Sequence, residues 1–253
     1  MKGLGDFMDN VYDNNEFFSS YEKMRDSDNN ANDLLETPTI LSMMPKVKDK
    51  KILDLGCGDG RIDEVLVKSG AKQVYGIDIS NNMIKLAKER NLDNCDFELL
   101  PMEEISKIDD KFDIVYSSLA FHYVEDLDSL LKDIYALLNK GGILLFSMES
   151  PLNTATIIDD KNVDNKVSIN KKSYYLLSDY CNEGERKVFW QDIYMTKYHR
   201  TYATVINLLI KNNFDILEVR DSVVSKQTIK LNPKFKNQLD KPYFTFFKVK
   251  KRK

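Results

Sequence analysis

The stretch Lys51-Ile52-Leu53-Asp54-Leu55-Gly56-Cys57-Gly58-Asp59-Gly60 constrains the fold of this chain more than any other. Ile52, Leu53 and Leu55 predict a short buried strand. Three glycines follow at alternate positions, and Arg61-Ile62-Asp63-Glu64-Val65-Leu66-Val67 then begins an amphipathic helical period. Strand, glycine turn and helix bring bare backbone N–H groups against a ligand at a helix N-terminus. Asp78 closes the next apolar run, Val74-Tyr75-Gly76-Ile77, at about the separation where a nucleotide-binding fold sets its ribose carboxylate. The glycine spacing separates two nucleotide classes. A dinucleotide fingerprint is G-x-G-x-x-G, whose last glycine permits close helix packing. Here the sixth position is Arg61, and the last glycine comes one residue early. Asp54 also sets a carboxylate at the strand's end, where a cationic amine can sit.

A chain of 253 residues predicts one domain with insertions and a substantial core. The formal charge of −3 makes no electrostatic case for nucleic acid or an anionic membrane as partner. Lys248, Lys250, Lys251, Arg252 and Lys253 read as a solvated basic tip. No apolar run has transmembrane length, and the polar, acidic N-terminus is unlike a signal peptide. Cys57, Cys95 and Cys181 match no metal-ligand spacing and suit a reducing cytoplasm, so a cytoplasmic protein without a metal site is expected.

Taken in order, residues 1–45 precede the first strand. Phe17, Phe18, Tyr21 and Met24 share a helical face, and a second helical run from Leu34 to Met44 is expected to be interrupted at Pro38 and stopped by Pro45. Two readings are compatible: a helical pair packed on the sheet, or a lid whose Tyr21, Met24 and Arg25 face the mouth of the site. From 46 to 149 strands and helices alternate, predicting a doubly wound, mostly parallel α/β sheet. The strands are Ile52–Leu55, Val74–Asp78, Phe97–Leu100, Phe112–Tyr116 and Ile143–Met148; Ser80 or Asn81 caps the second helix. Residues 150–200, polar from Ile158 to Lys172 and then aromatic, predict an antiparallel cap. In 201–253 a helix from Thr201 to Asn212 precedes two last strands, Phe214–Val219 and Tyr243–Val249, which can pair antiparallel at one sheet edge.

Asp-x-Gly-x-Gly-x-Gly, with Asp78, the Phe112–Val115 strand and the turn and strand from Leu138 to Phe146 following in order, resembles class I S-adenosylmethionine-dependent methyltransferases over about Ile52 to Met148. The resemblance implies a seven-stranded Rossmann-like sheet, S-adenosylmethionine as cofactor and a small-molecule methyl acceptor. It implies that Gly56, Cys57, Gly58 and Gly60 contact the methionine part, that Asp54 helps hold its amino group, and that Asp78 binds both ribose hydroxyls, with Ile79 and Met83 beside it. A carboxylate can accept two charge-assisted bonds from a diol. The acid that family members often set beneath the adenine amino group is replaced here by Pro101, leaving Met102 and Glu103 as candidates; Glu103 reads equally as a solvated helix start. Ser117 and Leu119 would border the cofactor. The run Ser118-Leu119-Ala120-Phe121 lacks the Pro-Pro-aromatic sequence of base and amide N-methylases.

The two histidines, His122 and His199, are the candidate general bases. His122 either faces the cleft or serves the structure. His199, in Tyr198-His199-Arg200-Thr201, either stands over the acceptor with Tyr198 and Arg200 or ties cap to core, and Trp190 is acceptor wall or cap core. Methyl transfer from a sulfonium requires little proton chemistry, so the lack of a triad or metal site does not argue against it. Two other classes share the strand–turn–helix: a nicotinamide oxidoreductase, disfavoured by Arg61 at the third-glycine position, and a non-catalytic S-adenosylmethionine-binding module.

Overall fold

The computed structural model describes residues 10–27, 29–157, 166–190 and 193–252. In chain order the regular elements are α1 (Asn15–Asp26), α2 (Thr37–Met43), β1 (Lys51–Leu55), α3 (Arg61–Lys68), β2 (Gln73–Asp78), α4 (Asn81–Glu89), β3 (Cys95–Leu99) and β4 (Phe112–Ser117). There follow α5 (Leu127–Leu137), β5 (Leu138–Glu149), α6 (Pro151–Thr154), β6 (Lys166–Ile169), β7 (Lys172–Tyr175), β8 (Gly184–Trp190) and β9 (Ile193–His199). The chain ends with α7 (Tyr202–Lys211), β10 (Phe214–Asp221), α8 (Lys226–Leu231) and β11 (Phe244–Lys251).

Seven strands form one sheet in the order β10-β11-β5-β4-β1-β2-β3. The five strands β5-β4-β1-β2-β3 run parallel, and β11 joins antiparallel between β5 and β10. The reversal of strand order lies between β1 and β4, and ligands of such sheets bind outside the carboxyl ends at that switch point. The period of two along β1 explains the two cores. Leu53 and Leu55 face Val115, Phe146 and helix α5 on one side. Ile52 faces Ile114, Leu66 of α3 and the N-terminal residues Leu35, Ile40 and Met43 on the other. Asp54 shares the Ile52 face and so points at α3.

Helix starts follow the caps. Ser80 Oγ accepts from Met83 N at 3.2 Å to open α4, and Asp126 Oδ1 accepts from Ser129 N at 2.9 Å to open α5. Pro38 does not interrupt the second helical run as expected. It sits in the first turn of α2, where its missing N–H costs nothing, and a π-helical turn at Asn32–Glu36 leads into it. The excursion after β5 is antiparallel: β6 pairs with β7 and β8 with β9. Part of the polar run expected from Ile158, the first residues of the N-terminal segment and the terminal Lys253 lie outside the described residues.

Candidate active site

A cavity of about 1570 Å³ opens above the carboxyl ends of β1, β2 and β4. Its floor is the turn after β1. Gly56 N and Cys57 N both donate to Ile77 O at 2.9 Å, which pins the turn across β2. Gly56 has φ +76°, and a Cβ there would lie 2.9 Å from the Ala120 Cβ, so no other residue fits both the backbone and the space. Gly58 N donates to Asp78 Oδ2 at 3.0 Å, and Ser80 N donates to Asp78 Oδ1 at 2.8 Å. The Gly58 N–H is thus spent on orienting Asp78 rather than left bare. Each Asp78 oxygen keeps lone-pair capacity for a further donor, and burial raises its pKa.

Asp54 lies on the same floor, 2% exposed, with Asp63 of α3 wholly buried behind it. With both side chains ionised, Asp54 Oδ1 and both Asp63 oxygens have no donor. The contact between the two carboxyls is satisfied only when one of them keeps its proton. Burial raises both pKa values, and for Asp54 the charge of Asp63 adds to the rise. Asp63 was read from the sequence only as part of an amphipathic helix.

Ile79, Met83, Met102, Glu103 and Leu119 line the cavity with Asp54, Gly56, Cys57, Gly58 and Asp78. Gly60 and Ser117 do not. Gly60 begins α3 under Phe97, and the buried Ser117 Oγ donates to Leu55 O at 2.7 Å, joining β4 to β1. Burial raises the Glu103 pKa.

The N-terminal segment and the β8–β9 hairpin roof the cavity. Tyr21, Met24 and Arg25 line it from α1, and Trp190 from β8. Tyr12 meets Tyr21 edge-on at 5.1 Å, and Trp190 meets Phe17 at 5.7 Å, so one aromatic cluster joins the two coverings. Asp13 fastens the segment to the core at the start of α4: Oδ1 accepts from Ser80 Oγ at 2.7 Å and from Asn82 N at 3.1 Å. Glu36 does the same at β4 and β5, accepting from Ser118 Oγ at 2.8 Å and from Ser147 Oγ at 2.7 Å. Neither acid carries a local motif.

The histidines part company. His122 lines the cavity; its Nδ1 accepts from Glu149 N at 3.3 Å, and burial pushes its pKa down to about 4. His199 does not line the cavity. Its Nδ1 is 2.8 Å from Thr154 Oγ1 and its Nε2 is 2.9 Å from Tyr180 O, with the side chain fully buried. Tyr198 and Arg200 also lie outside the lining, and Arg200 Nη2 donates to Val124 O at 2.7 Å and Glu125 O at 2.6 Å. The residues that β9 does send to the cavity include Lys197, whose Nζ lies 2.5 Å from Glu149 Oε1. Among the described residues no cluster of side chains could hold a metal ion, and no helix is long and apolar enough to cross a membrane.

Comparison with known proteins agrees with this geometry. Residues 46–201 match the family described as "Methyltransferase domain". An uncharacterized protein of Haemophilus influenzae is 36% identical, the match covering 95% of this chain and 96% of that one. The ubiquinone biosynthesis O-methyltransferase of Coxiella burnetii is 36% identical over 104 residues, spanning 40% of this chain and 44% of that enzyme. The crystal structure of an S-adenosylmethionine-dependent methyltransferase from Mesorhizobium loti superposes with a TM-score of 0.78 at 30% identity, covering 85% of this chain and 97% of that one. The chain belongs to the methyltransferase domain family, with the class I Rossmann-like fold of the S-adenosylmethionine-dependent enzymes.

Proposed function

We propose that this protein transfers a methyl group from S-adenosylmethionine to a small molecule held in the same cavity. The observation that carries the reading is continuity. One cavity runs from the Asp54–Gly58 turn and Asp78 to Trp190, Lys197 and His122. At about 1570 Å³ it exceeds the roughly 300–1,000 Å³ of an ordinary ligand pocket, leaving room for a cofactor and a second molecule.

The residues fit the cofactor. Asp78, held by two backbone N–H groups, accepts from the ribose diol. Asp54, which lines the cavity beside the turn, receives the α-ammonium. Gly56 allows the backbone close approach, and Ile79, Met102 and Glu103 flank the adenine. When bound, S-adenosylmethionine supplies a methyl group already activated on a sulfonium sulfur. The protein's remaining tasks are alignment and exclusion of water. Such positioning is worth about 7–11 kcal/mol of a barrier. Tyr12, Tyr21 and Trp190 close the roof, and the described residues of the segments before β1 and between β5 and α7 act as lid and cap over the core. Enclosure favours a small acceptor over nucleic acid, in keeping with the net charge of −3.

Incubating the protein with S-adenosylmethionine and a metabolite extract tests this reading. Accumulation of S-adenosylhomocysteine that requires the extract is expected. Cofactor binding without any turnover would indicate a binding module, and binding of NAD in place of S-adenosylmethionine would indicate an oxidoreductase.

A further inference from the structure

Away from the Asp54–Asp78 floor, the cavity contains a second polar centre built from Lys197, Glu149, His122 and Tyr123. The Lys197 ammonium, with a side chain only 6% exposed, has three N–H donors, and the bond to Glu149 Oε1 uses one. The His122 Nδ1 accepts a backbone N–H, which puts the ring proton on Nε2 as another donor. The Tyr123 hydroxyl donates to the Met195 sulfur, a weak acceptor, at 3.7 Å, and accepts from the Tyr12 hydroxyl. Lys197 therefore keeps N–H donors beyond the Glu149 bond and His122 adds one, in surroundings that are aromatic: Tyr12, Tyr21 and Trp190.

The same groups lack a base. His122 has its accepting nitrogen occupied, and burial keeps the ring a poor proton acceptor. Burial alone would raise the Glu149 pKa, but Lys197 holds it below the usual value, so its conjugate acid sheds a proton too readily to take one from an alcohol or phenol. Burial raises the Tyr12 and Tyr123 pKa values, keeping both as neutral phenols. His199 is outside the lining.

We propose that the methyl acceptor enters as a preformed oxyanion, a carboxylate or phosphonate on a planar and largely apolar body, and that Lys197 and the His122 Nε2–H bind that oxyanion. This rests on the methyltransferase reading above and narrows its substrate class. The step balances without a proton. An oxygen lone pair forms the new O–C bond, the S–C bond breaks, and sulfur keeps that electron pair. The negative charge on oxygen and the positive charge on sulfur both vanish, leaving an ester and a thioether. A buried ion pair is costly to keep, and a ligand-binding role accounts for its place in the cavity wall.

The test uses the full chain saturated with S-adenosylhomocysteine and calorimetric titration of benzoate and phenylphosphonate against benzamide and benzylamine. Tighter binding of at least one oxyanion than of benzamide is expected, and the two oxyanion arms tell carboxylate from phosphonate. Lys197→Met should weaken that binding by about ten-fold or more, with S-adenosylhomocysteine affinity unchanged. If removing one partner of the ion pair prevents folding, the double variant Glu149→Gln/Lys197→Met is measured instead, since it leaves no charge unpaired. Absence of any oxyanion preference, or a preference untouched in the folded variant, overturns the proposal alone. Failure of the wild type to bind S-adenosylhomocysteine overturns the cofactor reading and this inference with it.

Discussion

The Ser80 hydroxyl donates to Asp13 Oδ1 at 2.7 Å, joining residues 67 apart in the chain, while the Ser80 backbone N–H donates to Asp78 Oδ1 at 2.8 Å. One serine therefore couples the N-terminal covering to the carboxylate proposed to hold the ribose. Asp13 also accepts from Asn81 N and Asn82 N, so it adds a second acceptor at the α4 N-terminus. Asp13→Ala is expected to loosen the covering and weaken cofactor binding by about ten-fold, a loss near 1.4 kcal/mol. Stopped-flow release of S-adenosylhomocysteine should show the change in the dissociation rate. An unchanged rate would mean that Asp13 only caps α4.

Asp54 and Asp63 make a proton-linkage prediction. The groups that bear on the pair are Asp78 and Glu36 around Asp54, and Asp59 and Arg90 around Asp63. The charged groups with the largest effect on Asp54 are all acids. The free protein keeps a proton in the pair; an ammonium arriving at Asp54 favours the ionised form and expels it. Calorimetry of S-adenosylhomocysteine binding in buffers of different ionisation enthalpy should show release of up to about one proton near neutral pH. Asp63→Asn should reduce that release, since it removes the share of the Asp54 rise that comes from Asp63 and leaves the share from burial. An unchanged proton count in the variant would remove the shared proton from the account.

The visibility of these features in the sequence followed how local their causes are. The strand, glycine turn and Asp78 were legible because a turn geometry demands its residues in consecutive order. The antiparallel end of the sheet was legible because Phe214–Val219 and Tyr243–Val249 are the last two apolar runs, joined by a long Lys-rich segment rather than another strand–helix unit. Asp63 was not singled out. Its position reads as the polar side of α3, and only its spacing of three from the buried Leu66 shows that it shares the core face. Lys197 was missed because a lysine in a strand reads as solvated. The period of two that places Met195, Lys197 and His199 on one buried face was the available signal. Asp13 and Glu36 act across more than sixty residues, and no spacing rule reaches that far.

His199 separates a structural tie from a base. Both ring nitrogens are engaged, one by Thr154 and one by Tyr180. His199→Asn is expected to cost about 1–3 kcal/mol, lowering Tm by about 2–12 °C for a chain of this size. Affinity for S-adenosylhomocysteine should stay within about two-fold, since that energy does not bear on the cofactor. Unchanged Tm with a lost methyl-transfer rate would restore the base.

His122 predicts an acid-labile contribution to stability. Burial lowers its pKa from 6.5 to about 4 in the folded protein. Between those values the unfolded chain binds a proton that the folded one does not, so stability rises with pH across the window and is lost on acidification. The contribution is on the order of 3 kcal/mol. Urea unfolding at a series of pH values, wild type against His122→Gln, should show a difference confined to about pH 4–6.5. Parallel curves would mean that His122 titrates alike in both states.

Calorimetric titration of S-adenosylmethionine into wild type and Asp78→Ala tests the central claim most directly. Asp78 is fixed by Gly58 N and Ser80 N and lines the cavity, and it is proposed to bind the ribose diol. Losing bonds to a charged acceptor costs about 1.5–3 kcal/mol each, a fall in affinity of about ten- to a thousand-fold, with the variant still folded by circular dichroism. Equal affinity in a folded Asp78→Ala protein would contradict the assignment of this cavity to the cofactor.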